Sequence, residues 1–271
     1  MPGEKEKDKG VDEELQKKLS QIKRKILVLS GKGGVGKSTV STNLAVGLAL
    51  RDYTVGLLDV DIHGPNVPNM LGLKGVQPSV TPAGAYPVNY SPNLKVMSIG
   101  FFAGENDAIV WRGPLKHRAI QQFLVDIIWG PLDWLIVDSP PGTGDEVISV
   151  RQLLQKVDGA VIVATPQDVA LADVRRSIKF CNATQTPILG IIENMSGFVC
   201  PKCGEVVEIF KSGGAERLAK ELGVPFLGKI PIDPTVVTAG DEGKPCVEYY
   251  PDSPMAKAFN EIINKIEEAL K

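Results

Sequence analysis

Gly31, Gly36, Lys37 and Ser38 satisfy the spacing G-x-x-x-x-G-K-[ST] within LSGKGGVGKSTV, residues 29–40. The pattern follows the apolar run KILVLS and opens a helical stretch, the context in which it reads as a phosphate-binding loop. Its glycines let successive backbone N–H groups converge on phosphate oxygens, and the helix behind them points its positive end at the same place. Lys37 brings a cation to the outer phosphates, and Ser38 a hydroxyl ligand for Mg2+. The whole loop, Gly31, Lys32, Gly33, Gly34, Val35, Gly36, Lys37, Ser38 and Thr39, is therefore expected to hold a nucleotide. Lys32 is surplus to that cradle. Either it points outward to a nucleotide on a second subunit, as a finger supplied in trans, or it is a solvated lysine on a turn.

A magnesium site also needs carboxylates. Asp138 ends the buried run WLIVDS, where a Walker B acid sits, and the glycines of the following PPGTGDE let that segment move with a γ-phosphate. Asp59 and Asp61 end a second buried run in GLLDVDIHGPN. One is suited to orient an attacking water, the other to serve Mg2+ or brace the loop; either alone would pass as an ordinary strand-end cap. The guanine-reading pattern N-K-x-D is absent from the loops, and NKIE at 264–267 lacks its aspartate. Asn194, at the end of the run PILGIIEN, offers an amide donor and acceptor to the N6/N7 edge of adenine.

Cys200 and Cys203 form a C-x-x-C in FVCPKCGE. Two thiolates are half of a tetrahedral site, and both Zn2+ and a four-iron cluster require four sulfurs. There is no second C-x-x-C; a twofold axis would supply one from a second copy. A redox pair or an idle pair are the other readings. Cys181 reads as a small buried residue and Cys246 as structural. His63 and His117 lack ligand spacing and are read as non-ligands.

These residues need a scaffold that brings strand ends together. The runs KILVLS, YTVGLLDV, LKVMSIG, WLIVDS, GAVIVAT, PILGIIEN and PFLGKIP are short and rich in Val, Ile and Leu, as fully buried parallel strands are. Helical stretches over 37–50, 115–129, 145–157, 170–181 and 214–222 separate most of them. The expected fold is α/β, a mainly parallel sheet flanked by helices on both faces, with ligands at the carboxyl ends of the strands. Residues 72–93 read as a long surface excursion. Residues 1–24 read as a charged segment with a short helix, since Val11, Leu15, Leu19 and Ile22 fall at helical spacing. A final helix over 254–271 gathers Phe259, Ile262, Ile263, Ile266 and Leu270 on one face.

The 271 residues carry a formal net charge of −2, which gives no electrostatic case for nucleic acid or membrane binding. The balanced charge of the last helix favours docking on the core over a lipid surface. No apolar run long enough to span a bilayer occurs, and residues 1–14 lack the apolar core of a signal peptide. Four cysteines in a chain this long do not make a disulfide framework, so a reducing cytoplasmic setting is expected.

GKGGVGKST resembles the deviant Walker A signature of the ATPases that include MinD, ParA and the nitrogenase iron protein. DVDIHGPNVP, WRGPLKHRAIQQFL, VDSPPGTGDE, TPQDVALADV, ENMSGFVCPKCG and GVPFLGKIPIDP together resemble the Mrp/ApbC group of iron–sulfur cluster carrier ATPases, from about residue 26 to about 245. The resemblance implies a single P-loop ATPase domain over 25–271 with a C-x-x-C insertion at 198–205. It implies Lys32 as the trans-acting lysine, Asp61 as the acid that positions water, Asp59 as its neighbour near Mg2+, and Asn194 as the adenine reader. It further implies ATP hydrolysis, a homodimer with a [4Fe–4S] cluster bridging Cys200 and Cys203 of both copies, and apo iron–sulfur proteins as clients. The amino-terminal four-cysteine motif of eukaryotic cytosolic members and the extra amino-terminal domain of many bacterial ones are not found in this sequence, so the partner-docking role of those segments is not expected to carry over. A MinD/ParA-like positioning ATPase without a cluster, and a zinc-bridged interaction protein, are the competing functions.

Overall fold

The computed structural model describes residues 13–62, 64–102, 113–200 and 202–271; Val11 and His63 lie outside them. A helix α1 over 13–19 leads into β1 (Ile22–Ser30). Leu15, Leu19 and Ile22 are all buried in the same core as the sheet. Ile22 already belongs to the strand, which starts three residues before the apolar run KILVLS.

The strands follow as β2 (Val55–Asp59), β3 (Ser79–Thr81), β4 (Gly84–Tyr86), β5 (Val88–Ser91), β6 (Leu94–Ser98), β7 (Leu132–Asp138), β8 (Gly159–Ala164), β9 (Ile188–Val199), β10 (Val206–Val207) and β11 (Phe226–Ile232). The main sheet runs β10-β9-β8-β1-β7-β2-β6-β5, with β11 also on β9. Its central pairings are parallel, and β2 and β8 are buried along their whole length, which is why they read as unbroken apolar runs. Only the edge strands β5 and β10 run antiparallel. Residues 72–93 are more ordered than an excursion: β3 and β4 form a separate hairpin and β5 extends the sheet. Period-2 patterning is weak over such short, exposed strands, and their Pro, Gly and Asn content is that of a loop.

The helices are α2 (Lys37–Ala49), α3 (Val67–Met70), α4 (Gly113–Asp126), α5 (Asp145–Leu153), α6 (Asp168–Ala183), α7 (Gly214–Leu222), α8 (Pro234–Asp241), α9 (Cys246–Tyr249) and α10 (Pro254–Ala269). The α2 helix packs with α9 and α10, whereas α4 packs with α5 and α6 with α7. The α2 helix is buried nearly all round, polar in its first half and apolar from Leu44 to Ala49, because strands lie beneath it and α9 and α10 lie over it. Contact with α10 is so close that a Cβ on Gly47 would sit 2.4 Å from Cδ1 of Ile263. The α10 helix starts on Ser253, whose hydroxyl accepts from the Ala256 N–H at 3.1 Å, with Pro254 in the first turn. Its stripe Phe259, Ile262, Ile263 and Ile266 is wholly buried, so that face is committed to the core. No helix among the described residues is long and apolar enough to cross a membrane.

Candidate functional site

The carboxyl ends of β1, β2, β7 and β9 meet along one edge of the sheet. At the end of β1 the Ser30 hydroxyl donates to the Lys32 carbonyl at 2.9 Å and Val35 is buried, which pins both limbs of the loop Gly31–Lys37. Gly36 caps α2 at φ 83°, a left-handed conformation, so no side chain blocks the N–H groups of the first turn. Asn194 donates its amide N–H to the Val35 carbonyl at 2.9 Å, and a Cβ on Gly36 would lie 2.2 Å from that nitrogen. Gly36→Ala is therefore expected to displace Asn194, strain the loop and weaken nucleotide binding at least tenfold, measured by titration with a fluorescent ATP analogue. Unchanged affinity would show that the loop does not need this contact.

Asp138 collects the polar groups behind the loop. Its carboxylate accepts from Lys37 Nζ at 2.7 Å, Ser38 Oγ at 2.6 Å and Ser41 Oγ at 2.7 Å. Asp59 is its register partner on β2. That carboxyl accepts from the Asp61 N–H at 3.1 Å, the Val67 N–H at 3.3 Å and the Ser98 hydroxyl at 2.9 Å. Asp61 lies 3.9 Å from Lys37 Nζ and accepts from the Gly64 N–H at 3.3 Å. Complete burial, and next the charge of Asp138, push the Asp59 carboxyl up to about 7. Three buried carboxyls, Asp59, Asp61 and Asp138, thus surround one ammonium, an excess of negative charge with oxygen donors that suits a small hard cation.

Sequence reasoning missed Ser41 and Ser98. Ser41 lies one helical turn beyond Lys37 on α2, and Ser98 is paired with Asp59 at the end of β6. The spacing carried the first signal; the second needed the strand order.

Beside the loop lies a cavity of about 700 Å3, lined among others by Gly36, Thr39, Asn194, Met195, Phe210 and Asp233. Met195, Phe210 and Asp233 were not singled out from sequence. Asn194 does not end its strand: β9 runs on to Val199 and returns as β10. The C-x-x-C is the turn of that hairpin, with Cys200 N–H donating to the Glu205 carbonyl at 2.9 Å and Gly204 N–H to the Cys200 carbonyl at 2.8 Å. The backbone N–H groups of Cys203 and then Lys202 hold the Cys200 thiol below its usual range.

Cys203 is exposed and Cys200 partly so, whereas Cys181 and Cys246 are buried and their thiols are pushed up to about 12 by that burial. The described residues contain no group of three or more His, Cys, Asp or Glu that could hold a metal ion. The side chain of His117 lies outside the described ones. Lys32 is half-buried, and its side chain makes no ion pair with a described residue.

Residues 21–267 match the model of the ParA family, described as the NUBPL iron-transfer P-loop NTPase. An iron-sulfur cluster carrier protein of Methanocaldococcus jannaschii is 49% identical over 261 residues, 96% of this chain and 89% of that one. Its counterpart in Methanococcus maripaludis is 48% identical over 259 residues, 95% and 89% of the two chains. A nucleotide-binding protein of Archaeoglobus fulgidus, solved in complex with ADP, superposes with a TM-score of 0.77 at 39% identity, covering 90% of this chain and 98% of that one. The septum site-determining protein MinD of Pyrococcus horikoshii, solved with Mg-ADP, shares the fold with a TM-score of 0.66 at 23% identity, over 92% and 97% of the chains.

Proposed function

This chain belongs to the family of NUBPL iron-transfer P-loop NTPases, and from that premise we propose that it is an ATP-hydrolysing iron–sulfur cluster carrier. Two copies hold a [4Fe–4S] cluster between their Cys200 and Cys203 pairs and pass it to apoproteins. One observation carries the reading. The hairpin that presents the two thiols is the continuation of the strand whose Asn194 touches the phosphate loop. A pair of sulfurs with no third ligand among the described residues needs a second copy to complete a four-sulfur site. The relatives named as cluster carriers support the same cargo.

In this reading Gly31–Thr39 cradle the phosphates of ATP and Lys37 faces the outer ones. Ser38, Asp138 and Asp59 would hold Mg2+, which when bound supplies charge neutralisation and Lewis acidity at the phosphate oxygens. Asp61 orients the water that attacks the γ-phosphorus as the bond to the ADP oxygen breaks. Lys37 and the partner's Lys32 stabilise the negative charge that spreads over the transferring phosphoryl group. The cavity beside Asn194 takes the adenosine. The domain boundary proposed is a single ATPase unit over 25–271, with 198–205 as its cysteine insertion and 1–24 as a docking segment. The buried apolar face of α10 argues against lipid attachment through that helix, so a positioning role at a membrane is the weaker function; ATP-dependent pelleting with liposomes would favour it.

Anaerobic reconstitution with iron and sulfide tests the proposal. The expected product is a dimer with about four irons, a broad visible absorption band, and cluster transfer to an apoenzyme that changes with ATP. A colourless protein holding zinc instead would overturn the cargo.

A further inference from the structure

Strand β9 serves both sites through two consecutive residues that point to opposite faces. Asn194 reaches the phosphate loop. Glu193, fully buried, reaches the other way. Its Oε1 accepts from the Ser196 hydroxyl at 2.5 Å and the Gly213 N–H at 2.7 Å, and its Oε2 accepts from the Ala215 N–H at 2.7 Å. Ser196 and Ser212 add a hydroxyl pair at 3.1 Å. One carboxylate therefore closes the base of the whole cysteine loop, gripping the chain as it leaves at 196 and as it returns at 213–215. The two N–H donors belong to the opening of α7, where a negative charge is favoured.

Around the first grip β9 bulges. Met195 stands at φ 58° and Gly197 at φ 77°, and while β9 advances from Asn194 to Phe198, β11 advances only from Ile230 to Ile232. Met195, at the bulge, and Phe210, on the return path of the loop, both line the cavity beside Asn194. The cysteine loop is thus one wall of the space where a base would lie, fastened at its foot by Glu193.

We propose that Glu193 is a positioning residue that couples occupancy of this cavity by a purine base to the presentation of Cys200 and Cys203. Phe210 and Met195 form the surface the base presses. This deepens the function above and rests on it for the identity of the occupant. A base packed on Phe210 fixes the return path, and the closed foot of the loop passes that restraint to the hairpin instead of letting it dissipate in the connection to α7. Coupling is reciprocal, so a metal centre on the thiols alters ATP affinity by the same factor.

Thiol alkylation reads the coupling without any cluster. Cluster-free, reduced full-length protein is treated with iodoacetamide with and without saturating Mg·ATP, and the rates at Cys200 and Cys203 are followed by peptide mass spectrometry. The buried Cys181 and Cys246 serve as internal references. In the wild type ATP should change the Cys200 and Cys203 rates at least about fivefold, the lower end of ordinary coupling energies. In Glu193→Gln and Phe210→Ala the change should shrink to about twofold or less under the same saturation. Ser196→Ala, which removes one bond to the same carboxylate, should fall between and stands in if Glu193→Gln does not fold. A wild type whose rates ignore saturating ATP overturns the proposal. So do variants that bind ATP and keep the full wild-type response, as they would if ATP merely buried the cysteines between two copies. Failure of the wild type to bind a fluorescent ATP analogue at all would instead remove the nucleotide reading beneath it.

Discussion

Replacing Lys32 by alanine should leave ATP binding within about threefold of wild type and lower turnover by about 10³-fold or more, the scale of a cationic finger supplied in trans. Lys37 and the backbone of the loop still hold the phosphates. Because Lys32 has no described ion pair, its removal strands no buried charge, and stability should change by about 0.5 kcal/mol or less. Lys37→Ala is the poorer probe: it would leave the buried Asp138 without its ammonium at a cost of about 3–5 kcal/mol. Mixing decides whether the lysine acts in trans. A Lys32→Ala subunit keeps an intact site but cannot lend a cation, and an Asp61→Asn subunit can lend one but cannot use it. Equal mixing of these inactive proteins should restore about a quarter of wild-type turnover, since half the dimers are mixed and each has one working site. A mixture as inactive as its parts would place the lysine in its own site, and full turnover by Lys32→Ala alone would place it outside catalysis.

Cys200→Ala should abolish cluster retention while sparing the ATPase core. The hairpin turn is held by the backbone of residue 200, through its N–H to Glu205 and its carbonyl from Gly204, and alanine keeps both bonds. Iron after reconstitution should fall to background with a melting temperature within about 2 °C of wild type. Cys181→Ala and Cys246→Ala should still hold iron, although each removes a buried side chain. Full iron content in the Cys200 variant would move the metal elsewhere.

How much of this could be read beforehand followed the range of the interactions. The loop 31–39 and its helix are a local pattern in which each residue type has a backbone or phosphate reason, and β2 and β8 are strands whose burial on both faces left unbroken apolar runs. Ser98 and Glu193 left no comparable trace. Ser98 matters only because β6 lies beside β2, and Glu193 only because β9 carries on past Asn194 and the chain returns to α7. Phe210 sits in a short, exposed stretch with no clear period, and only the folded loop brings it to the cavity. Residues 79–91 hid their strands for another reason: a separate hairpin whose first strand is wholly exposed, and a short edge strand beside it, need little apolar patterning.

The contact of Gly47 with Ile263 bears on how the protein is made. The helix that covers α2 is synthesised about 200 residues after it. At roughly 5–20 residues per second, translation leaves the apolar back of α2 uncovered for roughly 10–40 s. During that interval a nascent chain carries an uncovered apolar helix, a natural ligand for holdase chaperones.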